Sequence, residues 1–239
     1  MKILITQPTY LPWLGFIDKV RQADIFAIYD TAQYCKNDFY NRNRIRAGDW
    51  AIWLTVPVHS SGFPALNQVQ IDNSRDWRKK HLGTIRANYC HAPQFDRLWP
   101  DVEHLLNQSW DKLIDLQLAS IEMLCRWFNI QPKLLLASQL AVSNDRGVAP
   151  AEFRNLKLVE MCKMLGADTY ISGAGARCYL DESLFAAARI NVEWHEWQDR
   201  AYPQQGGGFV PQLSSLDLAM NVSDPLCWLQ GLAKMPTLI

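Results

Sequence analysis

The sequence predicts an α/β fold in which a mainly parallel sheet is flanked by helices. Short apolar segments rich in β-branched residues alternate along the chain with longer segments of helical periodicity. Polar residues gather where the predicted strands end. The chain has 239 residues, of which 49% are hydrophobic, and this is enough for a sizeable core. Because strands that alternate with helices favour parallel pairing, the sheet is expected to be mainly parallel.

The first elements surround a proline-containing segment. Buried strands are predicted over residues 2–6 and 25–29, with a helix over residues 15–22 between them. The QPTYLPW segment before that helix contains two prolines, which exclude a regular helix there. A polar loop is predicted over residues 33–46, and a third strand over residues 51–58.

The later elements continue the alternation. A second polar loop is predicted over residues 138–152. Gly166 is a suitable left-handed end for the helix predicted over residues 153–165. No repeat or linker divides the chain, so we predict one domain, with the helices of residues 95–130 as a candidate subdomain. The remaining predicted elements are helices over residues 77–89, 101–110, 113–128, 153–165, 184–188 and from 216, and strands over 132–137, 167–172 and 192–197.

Composition excludes several classes of protein. The 24 basic and 24 acidic residues give zero net charge, which argues against DNA binding by bulk charge. No segment has enough apolar residues to span a bilayer, and the start of the chain does not resemble a signal peptide, so a cytoplasmic location is expected. The six cysteines form no CxxC pair, and no histidine pair has metal-helix spacing. No metal or cofactor is therefore predicted.

The strongest candidate site lies near the start of the chain, where amides, aromatic rings and cations follow the first two strands. Arginine forks and amides in such a loop suit a polyanionic or heavily hydroxylated ligand. The alternative is a solvated surface loop that happens to be basic. The residues predicted to contact the substrate here are Gln7, Tyr10, Trp13, Gln33, Tyr34, Asn41, Arg42, Asn43 and Arg44, and Asp30 and Lys36 are candidates for proton transfer.

A second candidate segment, GAGARCYLD, follows the predicted strand over residues 167–172. Glycines at a strand end let backbone amides approach a phosphate, although a plain tight turn explains the pattern equally well. In a doubly wound sheet this segment can share the ligand-binding edge with the first site. The predicted substrate-binding residues are Ser172, Gly173, Gly175, Arg177 and Tyr179.

The helix over residues 77–89 carries a basic cluster that is either a solvated face or an anion-binding face. His81 lies on this helix and is a candidate catalytic residue. The sequence leaves open a spatial pair between Cys35 or Cys178 and either His81 or His195. His195 lies on a predicted strand between two tryptophans, where a structural role is more common.

Nearly the whole chain resembles the WbqC-like protein family. The resemblance rests on QPTYLPWLGFIDKV, ADIFAIYD, QYCKNDFYNRNRI and WLTVPV, followed in order by RDWRKKHLGTIRANYCHAP, LGADTYISGAGARCYL and FVPQLSSLDLAMN. The family occurs in bacterial gene clusters that build surface polysaccharide, including O-antigen. The resemblance therefore implies a biological context rather than a particular reaction.

Three functions follow from these observations. The first is a cytoplasmic transferase acting on a nucleotide-activated sugar, with acyl or aminoacyl transfer to a sugar amine as the hypothesis for the reaction. The second is nucleotidyl transfer, since the opening resembles that of nucleotidylyltransferases, although it lacks their HxGH histidines. The third is a noncatalytic binding or scaffold protein. The donor and the oligomeric state stay open.

Overall fold

The computed structural model describes residues 1–142 and 150–233 of the chain, which forms two compact units. The sheet unit comprises Met1–Gln7, Lys19–Thr31 and Pro132–Trp197. The helical unit comprises Pro8–Asp18, Ala32–Gln131 and Gln198–Ile239, and so it contains residues 95–130. The single-domain assignment stays a prediction. Residues 143–149 of the predicted loop over 138–152 lie outside the described residues.

The elements are numbered here in chain order. The strands are β1 (Lys2–Thr6), β2 (Ile25–Ile28), β3 (Arg42–Ala47), β4 (Trp50–Thr55), β5 (Val58–His59), β6 (Gln70–Ile71), β7 (Lys133–Leu136), β8 (Thr169–Gly173) and β9 (Asn191–His195). The helices are α1 (Leu14–Gln22), α2 (Trp77–Tyr89), α3 (Phe95–Asn107), α4 (Leu113–Trp127), α5 (Pro150–Met164), α6 (Glu182–Ala187), α7 (Ser215–Asn221) and α8 (Pro225–Leu229).

The sheet unit is built on one five-stranded sheet in the order β7-β2-β1-β8-β9. Each neighbouring pair in this sheet is parallel. The α/β prediction is therefore confirmed. The chain leaves β1 toward β2 and β7 on one side, and then returns to β8 and β9 on the other side. The winding therefore reverses between β1 and β8.

The core of the sheet unit is apolar, as the β-branched strand sequences predict. Ile3 and Ile5 of β1 lie in one buried cluster with Tyr170 of β8 and Phe185 of α6. The rings of Tyr170 and Phe185 are stacked, with centroids 5.1 Å apart. Gly166 follows α5 with a φ of +70°, so the predicted left-handed helix end is confirmed.

The helical unit contains an antiparallel hairpin of β3 and β4 that the sequence prediction missed. The predicted loop over residues 33–46 is wrong from Arg42 onward, because β3 begins there. Asn43 and Arg46 are polar but buried, so the strand lacks the usual alternation of apolar and polar residues. Gly48, with a φ of +59°, lies in the turn between the two strands.

Two further predicted elements of the helical unit have different bounds. The third strand, expected over residues 51–58, is divided: β4 ends at Thr55, Pro57 intervenes, and β5 pairs with β6. The helix expected over residues 101–110 begins earlier, as α3, and includes Pro100. A proline costs roughly 3 kcal/mol inside a helix. The helix nevertheless passes through it because its apolar residues are buried on both sides of Pro100, from Phe95 to Leu106.

Candidate functional site

The β3–β4 hairpin places arginine side chains beside an exposed indole. Arg42 is paired in register with Thr55, and Arg44 with Trp53. The guanidinium carbon of Arg42 lies 4.3 Å from the centre of a Trp53 ring, and that of Arg44 lies 5.6 Å from it. Stacking of this kind restricts the long arginine side chain without neutralising its charge.

A cavity of about 310 Å³ opens beside this hairpin, and we call it the hairpin cavity. This volume lies at the lower end of the roughly 300–1,000 Å³ that ligand pockets occupy. Four residues predicted from the sequence to bind substrate or transfer protons line it together. Its lining residues are Tyr34, Lys36, Asn37, Asn41, Arg42, Thr55, Pro57, Val58, Ser60, Asp72 and Arg75.

Arg42 is held in place within this cavity by two contacts. One terminal nitrogen of its guanidinium donates to the carbonyl of Asn37, and its planar group lies over Trp53. Asn37 has a φ of +66°, a conformation that asparagine tolerates better than most residues. The Arg42 Nε atom is buried and has no hydrogen-bond partner among the described residues. Arg42 thus brings a fixed positive charge to the cavity.

Tyr34 and Asn41 contribute neutral polar groups to the cavity wall. The Tyr34 hydroxyl donates to Asn41 Oδ1 at 3.0 Å, and Asn41 Nδ2 donates to the carbonyl of Val56 at 2.7 Å. Both side chains are therefore fixed by the protein itself. Because a hydroxyl oxygen has two lone pairs, the Tyr34 oxygen can still accept a hydrogen bond from a ligand.

The cavity is also lined by two charged residues that the sequence prediction missed, Asp72 and Arg75. Asp72 accepts from the backbone nitrogen and the hydroxyl of Ser74, at 3.2 and 2.5 Å, and pairs with Arg75 Nε at 3.2 Å. The hydrogen bond from the Ser74 hydroxyl is the main reason that the pKa of Asp72 is lowered, and Arg75 adds to this effect. The DNSR sequence signals a turn here, but nothing in it signals proximity to Arg42.

Tyr10 and His81 lie in the interior of the helical unit. The Tyr10 oxygen lies 3.1 Å from His81 Nδ1, and His81 Nε2 lies 3.2 Å from the carbonyl oxygen of Thr55. Burial lowers the pKa of His81 to about 4, although the Thr55 carbonyl opposes this shift. The geometry fits a neutral imidazole that donates to Thr55 and accepts from Tyr10. Both residues thereby stabilise the fold. The predicted roles of Tyr10 in substrate binding and of His81 in catalysis stay predictions.

The other predicted residues of the helical unit also make contacts within it. Asn43 is fully buried and donates to the carbonyl of Leu11 at 2.7 Å. Arg44 donates to the backbone and side-chain oxygens of Gln212 at 3.0 and 2.9 Å. Trp13 and Gln33 form isolated backbone bridges with Ser214 and Ala65, respectively. None of these four predicted residues is among those that line the hairpin cavity.

In the sheet unit, Asp30 lies directly beyond the carboxyl end of β2. Its side chain is 1% exposed, and its Oδ1 accepts from the backbone nitrogen of Ser138 at 2.9 Å. Lys157 of α5 lies nearby: its Nζ is 5.7 Å from the centre of the Tyr29 ring. Desolvation lowers the pKa of Lys157, and Asp30 partly offsets that effect. Lys157 is a charged residue at this edge that the sequence prediction missed.

The GAGARCYLD segment contains a short 3₁₀ helix directly after β8. Gly173 ends β8 in an extended conformation, with a φ of −75° and a ψ of 149°, and Ala174–Cys178 form a 3₁₀ helix. Neither Gly173 nor Gly175 has a positive φ. A glycine-dependent turn is therefore absent from this described segment, and its predicted role in binding phosphate stays a prediction.

The predicted side chains around this segment have defined surroundings. Arg177 pairs with Glu196 at 2.9 Å and lies 4.6 Å from the centre of a Trp194 ring. Tyr179 is exposed and lies beneath the guanidinium of Arg154 at 5.3 Å. Ser172 is buried at the end of β8, whereas Gln7 is half-buried just after β1. Gln7 thus follows β1 and Ser172 lies near the end of β8, the two strands between which the winding of the sheet reverses.

These features define an α/β protein with a five-stranded parallel sheet and a cation-lined cavity in its helical unit. The chain belongs to the WbqC-like protein family, whose model matches residues 7–225. It is 33% identical over 225 residues to a Mycobacterium tuberculosis protein named uncharacterized protein Rv1507c, covering 92% of this chain and 94% of that protein. No solved structure shows a significant match. Among residues 1–142 and 150–233, no helix has the length and apolar character needed to span a membrane.

Proposed function

We propose that this protein is a transferase of bacterial surface-polysaccharide assembly and that it binds the sugar-phosphate end of a nucleotide-activated sugar in the hairpin cavity. The polysaccharide context comes from the family resemblance. The observation that carries the ligand class is that Arg42 and Arg75 line one cavity of about 310 Å³ together with Tyr34 and Asn41. Cations beside neutral hydrogen-bonding groups suit a ligand that is both anionic and hydroxylated.

Three side chains of the cavity wall have proposed roles in ligand binding. The Arg42 guanidinium, positioned by Asn37 and Trp53, would bind a phosphate oxygen. The Tyr34 oxygen can accept from a sugar hydroxyl, and the Asp72 carboxylate can do the same. Because the cavity is small, the nucleoside end of such a ligand would extend beyond it.

The proposed reaction is transfer of an acyl or aminoacyl group to a sugar amine. The amine nitrogen forms a bond to the carbonyl carbon of the donor, and the bond from that carbon to the leaving group breaks. The proton lost by the amine passes to a base. Lys36, at the cavity wall, is the residue proposed for this step. Asp30 belongs to the sheet unit, and its predicted role in proton transfer stays a prediction.

Ligand binding is tested by thermal stabilisation of the purified protein with a panel of nucleotide-linked sugars. A ligand at a hundred times its Kd adds about 2.7 kcal/mol. For a chain of this size, that is a rise in Tm of roughly 5–10 °C. Loss of one charge-assisted hydrogen bond costs roughly 1.5–3 kcal/mol, so Arg42→Ala should weaken binding about tenfold to a hundredfold.

Arg97→Ala is the matched control for this experiment. Arg97 is an exposed arginine of the same unit that donates to Gln94, and it does not line the cavity. Equal effects of the two substitutions, or no stabilisation by any nucleotide-linked sugar, would contradict the proposed ligand. A protein that binds such a sugar but never turns it over with any acyl or aminoacyl donor would be a binding or scaffold protein instead.

Proton transfer is tested with Lys36→Met and Asp30→Asn. The variant that lacks the base should retain sugar binding but lose turnover by roughly a hundredfold or more. Asp30→Asn keeps an oxygen that can accept from the Ser138 nitrogen, so the fold should survive. Undiminished turnover in both variants would exclude both residues as the base.

Nucleotidyl transfer is a second candidate, favoured by the order of the parallel strands. Counting only the strands of the five-stranded sheet, β7-β2-β1-β8-β9 is the order 3-2-1-4-5 of doubly wound nucleotide-binding folds. This argument rests on fold similarity, which does not by itself define a reaction. Release of pyrophosphate from a nucleoside triphosphate in the presence of magnesium and an acceptor sugar phosphate would favour this candidate over acyl transfer.

A further inference from the structure

The winding of the five-stranded sheet reverses between two neighbouring strands of the sheet unit. β1 is followed by β2 on one side, whereas β8 lies against its other side. The connections that leave the carboxyl ends of β1 and β8 run in opposite directions, and this opens a crevice between them. Ligands of open α/β sheets bind in such a crevice.

A lysine side chain reaches the carboxyl end of β8 at this position. Lys19 lies on α1, and a Cβ atom added to Gly173 would lie 3.6 Å from Lys19 Nζ. Helical side chains tilt toward the N-terminus of their helix. The helix that follows a parallel strand begins at the carboxyl edge of the sheet. This tilt accounts for the direction in which the Lys19 side chain extends.

The surroundings of this ammonium group are largely removed from water. Ser172, next to Gly173, is buried, and burial lowers the pKa of Lys19. The absence of a side chain at Gly173 leaves room for a ligand to approach both the ammonium group and the end of the strand.

We propose that Lys19 binds a phosphate group of a ligand in this crevice, between the carboxyl ends of β1 and β8. An ammonium group offers three donors and a compact charge to phosphate oxygens. This inference does not rest on the proposed function, because it concerns a different unit from the hairpin cavity. It predicts that the chain binds phosphate even if the cavity binds no sugar.

The experiment measures binding of inorganic pyrophosphate by calorimetry, with sodium sulfate at matched ionic strength as the control for a general salt effect. The full-length protein should bind pyrophosphate saturably. Lys19→Met, which keeps most of the side-chain length and removes the charge, should weaken binding roughly tenfold to a hundredfold. Lys163→Met, at an exposed position of the same unit, should bind as the parent chain does.

A second variant guards against a folding defect in Lys19→Met. Gly173 has an extended conformation that alanine adopts, and the added methyl group would make an ordinary van der Waals contact at 3.6 Å. Gly173→Ala should therefore fold with an unchanged circular dichroism spectrum but lose affinity for pyrophosphate, because its methyl group occupies the approach to Lys19.

Each result decides the proposal. Loss of binding in Lys19→Met and Gly173→Ala, with binding retained in Arg42→Ala, supports it and separates it from the hairpin cavity. Loss in Arg42→Ala alone would assign the pyrophosphate to the hairpin cavity and overturn the proposal. No saturable binding by the parent chain, or equal affinity in the parent chain and both sheet-unit variants, would also overturn it.

Discussion

His81 makes the stability of the protein depend on pH in a direction that can be calculated. The imidazole is 2% exposed, and burial lowers its pKa from 6.5 to about 4. The unfolded chain therefore binds a proton at His81 more readily than the folded chain does. The stability that this group contributes is fully present above pH 6.5 and is lost as the pH falls toward 4.

The magnitude follows from the difference between the two pKa values. One pKa unit corresponds to about 1.4 kcal/mol, so the complete loss is about 3 kcal/mol, with about 2 kcal/mol lost by pH 5. Urea unfolding between pH 7 and pH 4.5 measures it. Comparison with His81→Gln cancels the carboxylates, which titrate in both proteins.

The substitution should reduce the loss of stability between pH 7 and pH 5 by about 2 kcal/mol. His81→Gln is less stable at pH 7, because the contacts with Tyr10 and Thr55 change, but the test uses only the slope with pH. His91→Gln, at an exposed position of the same unit, is the control and should keep the parent slope. Identical slopes in the parent chain and His81→Gln would refute the assignment of His81 as a buried neutral group.

Two further predictions concern stability and are tested by denaturant unfolding. Asp217→Asn should cost roughly 1–3 kcal/mol, because the buried carboxylate accepts from Tyr89, Tyr202 and Gln204, and an amide leaves one donor unpaired; unchanged stability would contradict this network. Gly166→Ala should cost about 1 kcal/mol of folding stability, because a φ of +70° disfavours a side chain. Gly83→Ala, inside α2 and with open space around the added methyl group, should instead add about 0.5–1 kcal/mol of stability. Equal effects of the two substitutions would disprove the backbone argument.

The parallel sheet could be predicted because its strands are short, apolar and separated by helical segments. Ile3, Ile5 and Ala27 are buried in the core, as expected for apolar residues of such strands. The β3 strand could not be predicted in this way, because Asn43 and Arg46 are buried polar residues whose partners are distant in sequence. Arg46 donates to oxygens of residues 204, 207 and 208, and no local pattern reveals such partners.

The candidate sites show the same limit. Tyr34, Lys36, Asn41 and Arg42 are close in sequence, and so their proximity in the hairpin cavity could be expected. Asp72 and Arg75 reach the cavity from a turn about thirty residues further along the chain, and only the tertiary fold brings them there. Lys19 could not be recognised from the sequence as a ligand-binding residue either, because that role depends on the position of Gly173, which is far away in sequence.

The pairing of β1 with β8 has a consequence for synthesis of the chain on the ribosome. Ile3 is paired in register with Tyr170, which is translated 167 residues later (170 − 3). At about 5–20 residues per second, this interval is roughly 8–33 s. During this time one edge of β1, an apolar strand at the centre of the finished sheet, has no partner from β8. Unpaired strand edges promote aggregation, so nascent or truncated chains that end before β8 are expected to depend on chaperones more than the full-length protein does.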